Sequence, residues 1–178
     1  MANYKIIFTG PVGSGKSTAI SSISDIPVVT TEEMASDMTR NRKPTTTVAM
    51  DYGRLDIGEG ERIHLYGTPG QERFNFMWDI LINGGLGLIL LIDNSRNDPF
   101  RDLRFFINAF KDFIGETSVV IGVTRMDLKR TPSIDEYYQE VLSLPKKPPI
   151  FEVDAREGKD VSMLVQTLLY SLDPGIKI

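Results

Sequence analysis

Short apolar runs bounded by turn residues alternate along this chain with stretches of helical periodicity. Strand-length runs fall at residues 4–9, 48–57, 61–66, 87–93, 118–124 and 149–154. Helical periodicity covers 16–24, 74–82, 99–114, 133–142 and 160–172. The alternation predicts an α/β fold, a mostly parallel sheet with helices on both faces. Two helix starts carry their own chemistry. Asp98 before Pro99 places a capping carboxylate ahead of a proline in the first turn, and Ser133 with Glu136 has the spacing of a reciprocal cap. The stretch 25–46 shows no clear period and reads as a long loop, a feature compact domains usually reserve for function.

The first strand runs into Gly10-Pro11-Val12-Gly13-Ser14-Gly15-Lys16-Ser17, and a helix begins at Lys16. Glycines let such a loop curl so that successive backbone N–H groups point at phosphate oxygens, and the helix N-terminus adds partial positive charge. In this pattern Lys16 reaches the β- and γ-phosphates and the Ser17 hydroxyl binds Mg²⁺. Gly13, Ser14, Gly15 and Thr18 complete the expected phosphate cradle. A bare glycine-rich turn would not need all these positions filled in this order.

The chain has 178 residues, the size of one ordinary domain, with 41% apolar and 25% charged residues. Lys+Arg 20 against Asp+Glu 24 gives a net charge of −4, which is no basic footprint for nucleic acid. With no cysteine, the chain has no disulfides, no thiol nucleophile and no thiolate-bound zinc, and a cytoplasmic setting is expected. The longest apolar run, 86–92, is strand-sized and far short of a bilayer span. Ala2 and the cysteine-free tail leave no expected acylation or prenylation anchor. His64 alternates with Ile63 and Leu65 and reads as a surface-facing strand residue.

Later motifs bear on the base and the chemistry. Tyr66-Gly67-Thr68-Pro69-Gly70-Gln71-Glu72-Arg73-Phe74 resembles the second switch of Ras-like small GTPases. Thr124-Arg125-Met126-Asp127 resembles their guanine-specificity motif, and Asp154-Ala155-Arg156 the short loop that closes over the base. The motifs keep family order over essentially the whole chain. The resemblance implies a P-loop NTPase fold of small-GTPase type, with a six-stranded mixed sheet and one antiparallel edge strand. It also implies GTP/GDP and Mg²⁺ as ligands. By it, Asp127 pairs with the guanine N1–H and 2-amino group, and the Ala155 N–H with O6. Arg125 covers the base with its stem, while Gly70 contacts the γ-phosphate and Gln71 orients the attacking water. Thr47, better placed than Thr45 or Thr46, supplies the switch hydroxyl to the metal.

The chain departs from that family at two places. Gly67 stands where an aspartate usually holds Mg²⁺ through water, and Pro69-Gly70 is similar to the bacterial Mgl-type subgroup, which also lacks it. Val12 crowds the γ-phosphate and the approach of an outside arginine, so slow intrinsic hydrolysis is expected. The resemblance therefore implies a GTPase-activating partner, of the roadblock type by the Mgl-type likeness, and an effector reading the switches. Phe74, Phe76, Met77, Trp78, Ile80 and Leu81 make the second switch apolar; most of that is expected to pack a helix against the core, but so many large residues at the switch also suit such a partner. Arg40 and Arg42 are internal arginine candidates. A non-hydrolysing guanine-nucleotide scaffold is the alternative, and a P-loop kinase of a small metabolite is disfavoured by Asp127. A hairpin turning at Gly58-Glu59-Gly60 would pair Leu55 with Ile63 and Asp51 with Gly67, because a one-residue slip mixes apolar and polar positions on one face. Asp51 then becomes the candidate to replace the missing metal aspartate.

Overall fold

The computed structural model describes residues 2–34 and 47–172. Among these residues seven strands form one sheet: β1 (Asn3–Thr9), β2 (Val29–Met34), β3 (Thr47–Gly58), β4 (Glu61–Gly67), β5 (Gly87–Asp93), β6 (Val119–Thr124) and β7 (Ile150–Glu152). Their spatial order is β2-β3-β4-β1-β5-β6-β7. Strands β1, β4, β5, β6 and β7 pair in parallel, and β3 runs antiparallel to both neighbours. The expected six-stranded sheet is therefore corrected to seven, and the antiparallel strand lies one in from the edge. The added strand, β2, occupies part of the stretch expected to be a loop. Its Val29-Thr30-Thr31 start is β-branched, which favours extended backbone, but Val29 and Thr30 are both exposed and show no alternation.

Among the described residues six α-helices flank the sheet: α1 (Lys16–Ile23), α2 (Asn75–Ile82), α3 (Pro99–Ala109), α4 (Lys111–Glu116), α5 (Ile134–Glu140) and α6 (Gly158–Leu172). The periodicity over 99–114 is two helices rather than one. Phe110 leaves helical geometry (φ −104°, ψ 13°) while its ring stacks on Trp78 at 5.2 Å. The two predicted caps are in place. Asp98 accepts the Arg101 N–H at 3.0 Å, and Ser133 and Glu136 cap each other.

Side chains alternate across the central strands and build a core on each face. Ile6, Phe8, Ile89, Leu91 and Val120 meet Ile20 of α1 and Leu164 and Leu168 of α6. Ile7, Leu88, Leu90, Ile92 and Ile121 meet Trp78, Leu103, Phe106 and Tyr137 on the other side. Each such aliphatic side chain, fully buried, contributes about 1.5–3 kcal/mol. The β3–β4 ladder sets Leu55 against Ile63 and Asp51 against Gly67, the register expected from the pattern, and shifts between Asp56 and Gly58 at the turn. Because β1, β4, β5, β6 and β7 point the same way, as does β2 beyond the antiparallel β3, the chain leaves these five strands along one edge of the sheet. In open α/β sheets that carboxyl edge is where ligands bind.

Candidate functional site

The phosphate loop leaves β1 and enters α1 at that edge. Gly15, at the cap of α1, has φ 103°, and a Cβ there would lie 2.9 Å from the Ala155 Cβ. Glycine is therefore required both by conformation and by the close approach of the 154–156 loop. Lys16 is buried, and its Nζ donates to the carbonyls of Gly10 at 2.7 Å and Pro11 at 2.8 Å. Burial pulls its pKa down to about 8; the Asp51 charge opposes the shift and Arg96 adds to it.

Beside Lys16 lies a pocket of about 300 Å³ lined by Ser17, Asp51, Gly70 and Gln71, with Val12 and Thr30 at its walls. Asp51 is buried; its carboxylate accepts the Ser17 hydroxyl on one oxygen and the Thr30 hydroxyl at 2.8 Å on the other. Gly67 makes room for it: a Cβ there would come within 3.2 Å of the Asp51 Cβ and 3.3 Å of Oδ2. Gly70 presses on the phosphate loop, where an added Cβ would meet the Val12 nitrogen at 2.6 Å and the Lys16 Nζ at 2.9 Å. The second switch is anchored from behind. Trp78 donates its indole N–H to the Pro69 carbonyl at 2.9 Å and packs against Phe105, Phe106 and Phe110. Of the apolar residues in that segment, Phe74, Trp78 and Leu81 are buried, while Phe76 and Ile80 are 56% and 61% exposed. Gln71 is exposed at the pocket rim.

On the other side of the phosphate loop a second pocket, of about 290 Å³, is lined by Gly15, Thr18, Thr124, Arg125, Asp127 and Ala155, among others. Ser14 and Arg156 border it as well. Thr124, at the end of β6, directs its hydroxyl to the carbonyls of Ser14 at 3.0 Å and Ile92 at 3.3 Å. The Arg125 guanidinium donates to buried Asp93 at 2.6 Å. Asp93 is itself fixed by the Ser95 N–H at 2.9 Å and the Ser95 hydroxyl at 2.6 Å. Asp154 takes the Arg156 guanidinium in a fork, with contacts of 2.6 and 2.9 Å; those hydrogen bonds hold its carboxyl down at about 2. Among the described residues no hydrogen bond reaches the exposed Asp127 carboxylate or leaves the Ala155 N–H.

The pattern of the sequence brings Lys16, Ser17, Asp51, Gly70 and Gln71 together on one side of the loop. Thr124, Arg125, Asp127, Asp154, Ala155 and Arg156 gather on the other. Thr47 opens β3 and pairs with Met34, whereas Thr45, Thr46, Arg40 and Arg42 lie outside the described residues. His64 is half-buried and bonds Tyr52 at 2.8 Å and Asn3 at 3.2 Å, away from both pockets. Three participants were missed. Thr30 belongs to the stretch read as loop. Asp93 ends a strand at the binding edge, a position that could have drawn attention to it. Arg96 pairs with Asp102 at 2.6 Å and touches the Val12 carbonyl at 3.5 Å.

A family model described as "Conserved hypothetical ATP binding protein" matches residues 8–171, and the chain belongs to that family. The chain is similar to "Ras-related protein Rab-27A" of Sus scrofa, 28% identical over 144 residues, covering 72% of this chain and 65% of that protein. It is also similar to "Ras-related protein RABA6a" of Arabidopsis thaliana, 26% identical over 160 residues, covering 89% of this chain and 64% of that protein. The chain thus spans somewhat under two thirds of the length of these relatives. Among solved structures, a bacterial selenocysteine-specific elongation factor, EF-Sec, superposes with a TM-score of 0.67 at 21% identity, over 97% of this chain and 30% of that one. The likeness to EF-Sec is one of fold. The resemblance to Ras-like small GTPases holds; none of these relatives is of the Mgl type. Among the described residues no helix is long and apolar enough to cross a membrane.

Proposed function

We propose that this chain is a Mg²⁺-dependent GTP/GDP switch that hydrolyses GTP slowly and is read by protein partners. One observation carries the reading: a phosphate loop with a buried lysine abuts a pocket whose Asp127 carboxylate has no hydrogen-bonding partner among the described residues. A carboxylate accepts twice from the N1–H and 2-amino group of guanine, and adenine leaves it unpaired, which costs on the order of 1–3 kcal/mol or more for a charged group. The family description speaks of ATP; the chemistry of Asp127 favours guanine. In this reading Gly13, Gly15, Lys16, Ser17, Thr18 and Gly70 hold the phosphates, Gln71 orients water, and Thr47 adds a switch hydroxyl.

Ser17 and Asp51 form a hard-oxygen donor pair beside Lys16, the chemistry that suits Mg²⁺. Among the described residues no group of three or more Asp, Glu, His or Cys stands ready to hold a metal, so phosphate and water oxygens fill the remaining positions. The ion would neutralise phosphate charge there. Asp51 acts in place of the absent aspartate at Gly67. Exposed Phe76 and Ile80, on the helix that follows Gln71 in the chain, suit a partner that reads or activates the switch, a GTPase-activating protein of the roadblock type under the Mgl-type reading. A non-hydrolysing scaffold is the second reading, favoured by Val12, 54% exposed at the rim that Gln71 shares. Single-turnover hydrolysis of GTP, alone and with cell extract, tests both. Turnover lost in Gln71→Ala supports the switch, and no turnover under either condition supports the scaffold.

A further inference from the structure

Among the described residues one guanidinium donates to the phosphate loop. Arg96, in the turn between β5 and α3, brings Nη1 to 3.5 Å from the Val12 carbonyl, a weak contact that is easily exchanged. The backbone beneath it is fixed: the Arg96 N–H donates to the Asp93 carbonyl at 3.3 Å, and Lys129 Nζ donates to the Arg96 carbonyl at 3.1 Å. The side chain is 43% exposed, and its firm partner is Asp102 in α3, with Nε 2.6 Å from Oδ2. Among the described residues that buried oxygen has no hydrogen bond besides this ion pair. The Arg96 charge is felt at Lys16, where burial lowers the pKa, Asp51 opposes and Arg96 adds to the lowering.

A guanidinium held by a single carboxylate can pass to a phosphate, because its planar fork matches phosphate oxygens and a triphosphate carries more charge. Val12 lines the Lys16 pocket and stands 54% exposed at its rim, where it crowds a guanidinium arriving from outside. Arg96 already touches the backbone of that residue from within the chain. Arg73, the exposed arginine of the second switch, lies instead over the Phe74 ring at 4.8 Å. Resting on the GTP-hydrolysis reading above, we propose that Arg96 is a catalytic residue that leaves Asp102 to meet the transferring phosphoryl group, and that Asp102 is the tether that keeps this step slow. In that step a water oxygen bonds the γ-phosphorus while the bond from phosphorus to the β–γ bridging oxygen breaks. The electron pair of the broken bond goes to GDP; one water proton stays on the phosphate and the other passes to solvent. Charge grows on the bridging oxygen, and there the guanidinium donates. Its departure strips Asp102 Oδ2 of its partner, which is the barrier the tether adds.

Single-turnover hydrolysis of GTP, read beside GDP affinity and capture of aluminium fluoride by the GDP-bound chain, tests this. Aluminium fluoride beside GDP mimics the transferring phosphoryl group. Arg96→Ala is expected to slow hydrolysis by about 10-fold or more and to abolish capture. GDP affinity is expected to fall by less than about 3-fold, the mark of an interaction made in the transition state. Asp102→Asn removes the charge of the tether and is expected to speed hydrolysis by about 3-fold or more, and to change nothing in the Arg96→Ala background. Arg96→Lys keeps the charge without the fork and is expected to fall between parent and Arg96→Ala. Hydrolysis unchanged in Arg96→Ala, GDP affinity falling as far as the rate, or Asp102→Asn no faster than the parent overturns the proposal and leaves GTP hydrolysis in place. A parent chain that binds GDP but neither hydrolyses GTP nor captures aluminium fluoride overturns it in favour of the scaffold. One that binds no GDP overturns the guanine reading as well.

Discussion

Asp51 on β3 stands directly across the ladder from Gly67 on β4, and its carboxylate accepts the Ser17 hydroxyl. The space that Gly67 leaves is what allows this geometry, since a Cβ there would sit 3.1 Å from Ile20 Cδ1 as well as against Asp51. Restoring an aspartate at this position would set two carboxylates opposite each other, and like charges across a ladder destabilise by up to about 1 kcal/mol. Gly67→Asp is therefore expected to lower the urea midpoint, and Gly67→Asp combined with Asp51→Asn to recover much of the loss. A double variant no more stable than Gly67→Asp alone would mean that the two carboxylates do not meet.

The metal role proposed for Asp51 has a separate test. Asp51→Asn keeps the shape and still accepts the Ser17 hydroxyl, but it removes the charge. The Mg²⁺ enhancement of GTP affinity is expected to fall by about 10-fold, the usual cost of losing a group that supports a metal shell. Titration of GTP binding against Mg²⁺ reads this directly. An unchanged Mg²⁺ requirement would leave Ser17 and Thr47 as the protein ligands.

Base selection by Asp127 predicts a swap of preference. Asp127→Asn turns one acceptor into a donor, which mismatches the guanine 2-amino group and matches the 2-oxo group of xanthine. GDP affinity is expected to drop by about 10-fold or more, with XDP overtaking it. A variant that binds GDP as the parent does would place the base elsewhere.

The anchoring of the second switch is equally open to test. Trp78→Phe retains an aromatic ring against Phe110 and leaves the Pro69 carbonyl without its donor. A stability loss of about 1 kcal/mol from the hydrogen bond is expected, together with some loss from the smaller ring. Faster hydrogen exchange at Gly70 and Gln71 would accompany it if the indole is what holds this segment. Exchange rates unchanged at those amides would show that packing alone holds it.

Much of this was legible in the sequence because it depends on short-range rules. The phosphate loop needs residues in one order on one strand-to-helix turn, and the β3–β4 register follows from which positions are apolar on each side of a glycine turn. The Asp51–Gly67 pairing was available from that register alone. What escaped depends on neighbours far apart in the chain. Strand β2 shows no alternation in the two residues that begin it, and its place is fixed by pairing with β3. Asp93 gains its role only because β5 and β6 end side by side, so that Arg125 falls within 2.6 Å. The break at Phe110 is likewise invisible to periodicity, since its ring packs in register with both flanking helices.

The Asp154–Arg156 fork carries a pH signature. Hydrogen bonds from the Arg156 side chain, then its backbone N–H, hold the Asp154 carboxyl down at about 2, below its ordinary value near 3.9. A carboxyl depressed on folding adds stability above its unfolded value, and that contribution disappears as pH falls through the folded value. The window therefore lies between about pH 4 and pH 2. The pair is exposed, so its effect on global stability is small and the carboxyl itself is the better reporter. Carbon-detected NMR titration is expected to place the Asp154 midpoint near 2, and Arg156→Ala to return it toward the ordinary range. Across pH 5 to 8 the fork stays closed, and this pair adds no slope to GDP binding. An Asp154 that titrates normally in the parent chain would mean that Arg156 is released in solution.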